Sequence, residues 1–177
     1  WAAVNGALPG AKPKATPDKL EVVFHRHYCV DDGRYNNNGW LQELPEPITK
    51  VAWENLILLS PKTFDRLGLV NQTSGGGTTQ ASLVKVLLAG REVMGPAWSQ
   101  PGMADDTIGL ALGYGRELSG RVGRGTGYDA YRVRATAAPH FATGAALTPT
   151  GQLHPVATAQ HHWCMEGRPA VREANLE

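Results

Sequence analysis

A mainly β domain is what this chain predicts, on three observations. Apolar residues come in short runs that alternate with small or polar ones and stop at Gly, Pro, Asn or Asp. The 21 glycines and 12 prolines interrupt any long helix. Few segments carry a sustained 3.6-residue period. With 177 residues and 42% hydrophobic content, the chain is sized for one domain with its own core, or one domain with tails.

Residues 1–18 (WAAVNGALPGAKPKATPD) lack any period and read as a linker or N-terminal arm. The folded domain is expected over 19–160, with 161–177 as a tail leading to a following module. Lys19–Tyr28 predicts a strand, with Leu20, Val22 and Phe24 on one face and Glu21, Val23 and His25 on the other. Residues 31–55 are rich in turns. Asp32-Gly33 and Asn38-Gly39 are turn dipeptides, and Pro45 and Pro47 exclude a helix or central strand over 45–47. Trp40 and Leu41 are expected to anchor this passage to the core, Trp40 being buried beneath a glycine loop further on. The passage suits a ligand rim and equally a structural Ω-loop.

Leu56–Leu59 predicts a short buried strand. Ser60-Pro61 then opens a helix over Pro61–Leu67, with Ser as N-cap and Pro at the first position, and Gly68 ends it. Residues 71–80 (NQTSGGGTTQ) read as a loop. Ala81–Leu88 and Glu92–Ser99 predict a hairpin around Ala89-Gly90-Arg91, with Val84, Val86 and Leu88 facing Val93 and Ala97. After a Pro101-Gly102 turn, Thr107–Leu112 predicts a strand whose large residues (Ile108, Leu110, Leu112) share one face. Its small ones (Gly109, Ala111) share the other, as inside a tight barrel where backbones approach closely. Tyr131–Ala135 is expected to close the sheet, Thr143–Gly151 to form a loop, and Val156–Ala159 to supply a last strand.

Between the predicted strands Thr107–Leu112 and Tyr131–Ala135 lies a loop with glycines at 113, 115, 120, 123, 125 and 127 and arginines at 116, 121 and 124. Glycine exposes backbone N–H groups and arginine adds charge, so the loop suits a phosphate or an acidic partner, or is a long irregular connection. It matches neither a Walker loop nor a dinucleotide fingerprint. Long charged side chains in such a loop are expected to be solvated, leaving Arg116, Arg121 and Arg124 free to meet an acidic partner.

A net charge of +1 gives no basis for nucleic-acid binding, and the five tryptophans do not alternate with basic residues. No apolar run approaches the ~18 residues that cross a bilayer. Two cysteines, Cys29 and Cys164, allow one disulfide but define neither a disulfide scaffold nor an iron–sulfur cluster. His25, His27 and Cys29 fall at i, i+2 and i+4, a spacing that raises the question of zinc or copper. Three such ligands spread over ~13 Å of a straight strand and cannot share one ion without a bend. His161, His162 and Cys164 form a second cluster without closed ligand spacing. No metal site is expected, and no catalytic residue is evident.

Taken together, NNGWLQELPEPITKVAWEN, LLSPKTFDRLGL, VKVLLAGREVMGPAWSQPGMADDTIGLALGYG and the glycine loop resemble a known domain. It is the C-terminal dinucleotide-binding domain of the molybdopterin oxidoreductases, relatives of dimethyl sulfoxide reductase. The resemblance covers roughly Lys19 to Arg134 and implies a double-psi β-barrel of about six strands with short helices. It places the pterin dinucleotide site at Asn37, Asn38, Trp40, Gln42, Gly113, Tyr114, Gly115 and Arg116. GYGRELSGRVGRGTGYDAYRVR and MEGRPAVREANLE are similar to the large iron–sulfur subunit of alternative complex III, a quinol-oxidising respiratory assembly. That branch implies a cofactor-free, vestigial site in a structural module of an electron-transfer complex, on the periplasmic side of the membrane. Iron–sulfur clusters would lie elsewhere in the parent protein, and the partners would be the remaining polypeptide and other subunits. The alternative is an active molybdoenzyme whose domain binds molybdopterin guanine dinucleotide. One departure from the family pattern is Asn71–Gln80, which stands where a Gly-Asp turn is usual.

Overall fold

The computed structural model describes residues 15–73, 79–159 and 174. Among the described residues eight strands form one mixed sheet, with a few short helices between them. In chain order they are β1 (Leu20–Arg26), β2 (Val51–Ala52), β3 (Ile57–Leu59), β4 (Asn71–Thr73), β5 (Thr79–Leu88), β6 (Arg91–Ser99), β7 (Thr107–Leu112) and β8 (Phe141–Thr158). The helices are α1 (Gly39–Glu43), α2 (Pro61–Arg66) and α3 (Gly120–Gly123), joined by a 3₁₀ turn at Ala130–Arg132.

The pairing runs β8–β1–β7–β3–β6–β5 and returns to β8, so these strands make a closed circuit of hydrogen bonds. Two pairs in it are parallel, β1 with β7 and β3 with β6, and the others are antiparallel. Closure follows from the length of β8, which pairs with β1 through Ala145, with β5 from Ala146 to Val156, and with β2 at its end. Inside the circuit Val22, Phe24, Ile57, Leu59, Val84, Val86, Ile108 and Leu110 form the core. These are the inward positions of the alternating strands, so period-two patterning becomes one apolar interior.

Local chemistry explains the elements that match the sequence reading. Ser60 caps α2, its Oγ accepting from Thr63 N at 3.1 Å, and Pro61 opens the first turn. The hairpin between β5 and β6 turns on Ala89 (φ 50°) and Gly90 (φ 77°), the two left-handed positions of a tight turn that follows strand twist. Val86 pairs with Val93 across it.

Several expectations are corrected. Tyr131–Ala135 is no strand. Asp129 caps the 3₁₀ turn through Tyr131 N at 3.0 Å, and Ala130 and Val133 pack inward at i, i+3 spacing. Thr143–Gly151 is the middle of β8, not a loop. Most of β8 beyond Ala145 faces solvent, so it needs no apolar alternation, and its bulges absorb the irregular register opposite Leu20/Glu21 and Ser82/Val84. Of the expected loop 71–80, Asn71–Thr73 is a strand lying antiparallel to Thr79–Ala81, and 74–78 lie outside the described residues. Asn38-Gly39 starts a helix rather than a turn, because the Asn38 side chain accepts from Trp40 N and Leu41 N. Residues 1–14 of the expected arm, and His161, His162 and Cys164, lie outside the described residues. Among the described residues no helix is long and apolar enough to cross a membrane.

Candidate functional site

The two loops that carry the residues singled out by the family resemblance pack against each other, but Asn37, Asn38 and Trp40 border one groove and Gly115 and Arg116 another. Loop 31–44 and the glycine loop 113–129 pack face to face beyond the ends of β1 and β7, which lie parallel and in register up to Arg26 and Leu112. What holds them is a set of side-chain to backbone hydrogen bonds across the seam. Asn36 Nδ2 donates to Gly113 O at 3.0 Å, and Arg116 Nη1 donates to Gly33 O at 2.7 Å. Asn37 Oδ1 accepts from Val122 N at 3.1 Å and Gly123 N at 3.4 Å, and so caps the start of the loop's own short helix. Gln42, fully buried, donates to Asn36 O at 2.8 Å and to Thr126 Oγ1 at 3.3 Å.

Two corrections follow. Trp40 is 84% exposed rather than buried beneath the loop. It sits in the first turn of α1, whose inward position is taken by Gln42, because the seam needs hydrogen bonds more than apolar area. Arg116 is not merely solvated, since its guanidinium fastens the loop to Gly33. Arg121 and Arg124 are exposed, as expected.

Apart from Gly125, the glycines of the loop are filled against by the chain itself. At Gly113 (φ 106°) a Cβ would stand 2.8 Å from Asp31 O and 2.9 Å from Gly33 N. At Gly127 it would stand 2.5 Å from Asn55 Oδ1 and 2.8 Å from Tyr114 Cβ. The close approach these glycines permit is between two protein loops. Tyr114 is buried, packs edge-on against the His27 ring at 4.9 Å, and has its phenol pKa raised chiefly by desolvation. Gly115 is half-buried and donates its N–H to Thr126 O at 2.8 Å.

Sequence reasoning missed Asn55. It is buried and donates to Ala111 O at 2.8 Å and Tyr128 O at 3.0 Å, while accepting from Tyr128 N at 2.9 Å. One amide thus ties the approach to β3 to the end of β7 and to the far end of the glycine loop. A lone Asn beside an apolar run was the available signal.

Beside the seam runs a groove of about 890 Å³, whose lining includes Gly115, Arg116, Lys85, Arg132, Glu92 and Asp129. Its charges are mixed in sign, so it does not make the uniformly positive cradle that a pyrophosphate favours. A shallower groove of about 510 Å³ is bordered by Asn37, Asn38, Gly39, Trp40 and Glu43.

The first His/Cys cluster is also rearranged. β1 stops at Arg26, and His27–Asp31 forms a turn closed by His27 N to Asp31 O at 3.0 Å and Asp31 N to His27 O at 2.9 Å. His27 Nδ1 accepts from Cys29 N at 3.2 Å, and the Cys29 thiol donates to Leu44 O at 3.2 Å. Burial pushes the thiol pKa up and pulls His27 down to about 4. Among the described residues no group of three or more His, Cys, Asp or Glu side chains is arranged to hold a metal ion. Compared with protein-family models and with curated proteins, the sequence gives no match.

Proposed function

We propose that this chain is a structural, cofactor-free module of a molybdopterin-oxidoreductase-like iron–sulfur subunit. It serves a membrane-bound electron-transfer complex of the quinol-oxidising kind, on the periplasmic side. The reading rests on the resemblance of the motifs in 19–134, and it takes the circuit of strands to be a double-psi β-barrel. The two parallel pairs, β1/β7 and β3/β6, set within an otherwise antiparallel circuit support that assignment.

One observation carries the cofactor-free part. The polar groups that would grip a pterin dinucleotide are committed to each other: Asn37 to the loop's backbone, Gln42 to Asn36 and Thr126, and Arg116 to Gly33. The space beside Gly113 and Gly127 is filled by protein atoms. A barrel of this kind keeps the shape of a dinucleotide domain while its loops act as a rigid cap. Exposed Trp40, Arg121 and Arg124 then serve as contacts to neighbouring subunits, where an aromatic anchor and charge-assisted pairs fix orientation.

The test uses the parent subunit purified with its native partners. Pterin fluorescence after oxidative extraction, with molybdenum and tungsten content, is expected to be far below one equivalent per chain. One equivalent of pterin would overturn the reading in favour of a molybdopterin guanine dinucleotide domain of an active enzyme. Arg121→Glu with Arg124→Glu is expected to weaken assembly with partner subunits while thermal unfolding of this domain stays unchanged.

A further inference from the structure

The alternation in β7 turns its large residues inward and leaves small ones on the outward face, where β1 and β3 flank it. The outward rows therefore run Val23–Gly109–Leu58 and His25–Ala111. A Cβ at Gly109 would stand 3.1 Å from Leu58 Cβ and 3.4 Å from Met103 Cε, so both side chains lie down against bare backbone. Beside them opens a cavity of about 330 Å³ with an apolar floor of Leu56, Leu58 and Ala111. Ala111 is buried although it points away from the main core, because the stretches carrying Thr49, Glu54, Gln100 and Met103 stand around it. The volume is at the small end of the range for small-molecule sites.

The lining includes charged residues, but each already has a partner in the chain. Arg26 pairs with Asp31 at 3.4 Å. Glu46 accepts from Ile48 N and Thr49 N, and Glu54 pairs with His154 Nε2 at 2.8 Å. Burial lowers the His25 pKa and brings that of His27 down to about 4, so both rings are neutral near neutral pH. His25 Nε2 and Gln100 Oε1 lack partners but are closed off by protein atoms, so a guest does not reach them. An ion entering this space would give up hydration without meeting an unpartnered opposite charge. The guest that fits is neutral.

The rest of the lining favours a π system. His25, His27 and Tyr28 bring rings, which pair edge-to-face or offset with another ring, and Met103 brings a thioether, which packs well on ring edges. Thr49 and Tyr28 also carry hydroxyls, which donate or accept, so one neutral polar substituent is tolerated. Size follows from volume: an apolar cavity of about 150 Å³ takes one benzene ring, and this one is about twice as large. We propose that this cavity is a binding site for a neutral, planar, two-ring aromatic small molecule carrying at most one small polar group. It is distinct from the loop seam and independent of the module's place in any complex.

Naphthol is the probe, followed by NMR titration of the full 177-residue chain. Expected is saturable binding with a Kd of about 1 mM or tighter, with shifts centred on the Met103 methyl and the Ala111 amide. Naphthoate and N-methylquinolinium, two-ring guests of opposite charge, are expected to bind at least fivefold more weakly. Decahydronaphthol, neutral but saturated, is expected to bind at least threefold more weakly. N-acetyltryptophan amide, which stands for a ring supplied by another protein, adds two amides to the two rings and is expected to bind at least fivefold more weakly. Ala111→Leu is expected to fill the hollow from its floor and weaken naphthol binding at least tenfold. Met103→Ala, at a partly exposed position between β6 and β7, keeps the proposal testable should the first variant perturb folding. It removes the thioether and is expected to weaken binding at least threefold with thermal unfolding retained. No saturation with naphthol, equal binding of any of the four comparison compounds, or unchanged binding by the folded variants would overturn the proposal.

Discussion

The seam between residues 31–44 and 113–129 and the cavity beside His25 are built from similar materials, amides and charged groups set among buried aromatic or aliphatic residues. They differ in where their hydrogen bonds go. Across the seam the donors of Asn36, Gln42, Asn55 and Arg116 all end on backbone carbonyls or a hydroxyl of the facing segments. The oxygens left open there, Asn36 Oδ1 and Gln42 Oε1, belong to residues that line none of the three spaces described above. Beside the cavity His25 Nε2 and Gln100 Oε1 lack partners too, but they belong to residues that line open volume. Residue type does not distinguish a site from a structural joint. Open volume beside the polar residues does.

The sharpest way to break this comparison is at Asn55. Asn55→Ala leaves two carbonyls and one N–H without their partner, and a loss of about 3 kcal/mol is expected from the urea midpoint. A midpoint equal to the parent's would mean the seam is not held as described. Gly113→Ala comes next. It forces a Cβ into a left-handed position against Asp31 and Gly33, for a loss of about 2–3 kcal/mol by the same measurement.

His27 stands between the two regions, lining the cavity while packing on Tyr114. Its pKa is lowered from 6.5 to about 4, chiefly by burial. Between those values the unfolded chain binds the extra proton and the folded one does not, so stability falls as the pH drops through that window. A loss on the order of 2 kcal/mol is expected, and His27→Gln should flatten it. Burial raises the Glu54 pKa, which works in the opposite sense: its contribution is present below the usual 4.5 and is lost as pH rises. The difference between the parent and His27→Gln profiles therefore isolates His27. The smallest effect is expected at Trp40→Ala, within about 0.5 kcal/mol, because the side chain is 84% exposed. A large loss there would restore the buried-anchor picture.

What was legible in the sequence was what neighbouring residues decide. The alternation in Leu20–Phe24 and Thr107–Leu112, the Ser60-Pro61 start of α2 and the Ala89-Gly90 turn each carry their instruction within a few residues. β8 was legible only at its end, Val156–Thr158, because the strand character of the rest comes from β1 and β5 rather than from its own Gly and Pro content. Motif order did bring Asn37, Gln42, Gly113 and Arg116 to one seam. It could not say that they would bond to one another, nor that Gln42 rather than Trp40 would turn inward. The cavity was hidden for a related reason. His25, Glu46, Glu54 and Gln100 come from separate stretches, and only tertiary packing shows that two of them lack partners.

β8 carries one more consequence, for the order of events during synthesis. The ribosome delivers β1 first and β8 last, and β8 is the strand that covers both β1 and β5. Until Phe141–Thr158 emerges, the nascent domain holds two long strand edges with unpaired N–H and C=O groups, which are templates for association with other chains. The parallel β1–β7 and β3–β6 pairs also wait on distant partners, so folding is expected to be slow and to finish in a late, concerted closing step. A ribosome stalled before residue 141 would thus expose a sticky intermediate, and a chaperone that shields strand edges would act in that interval.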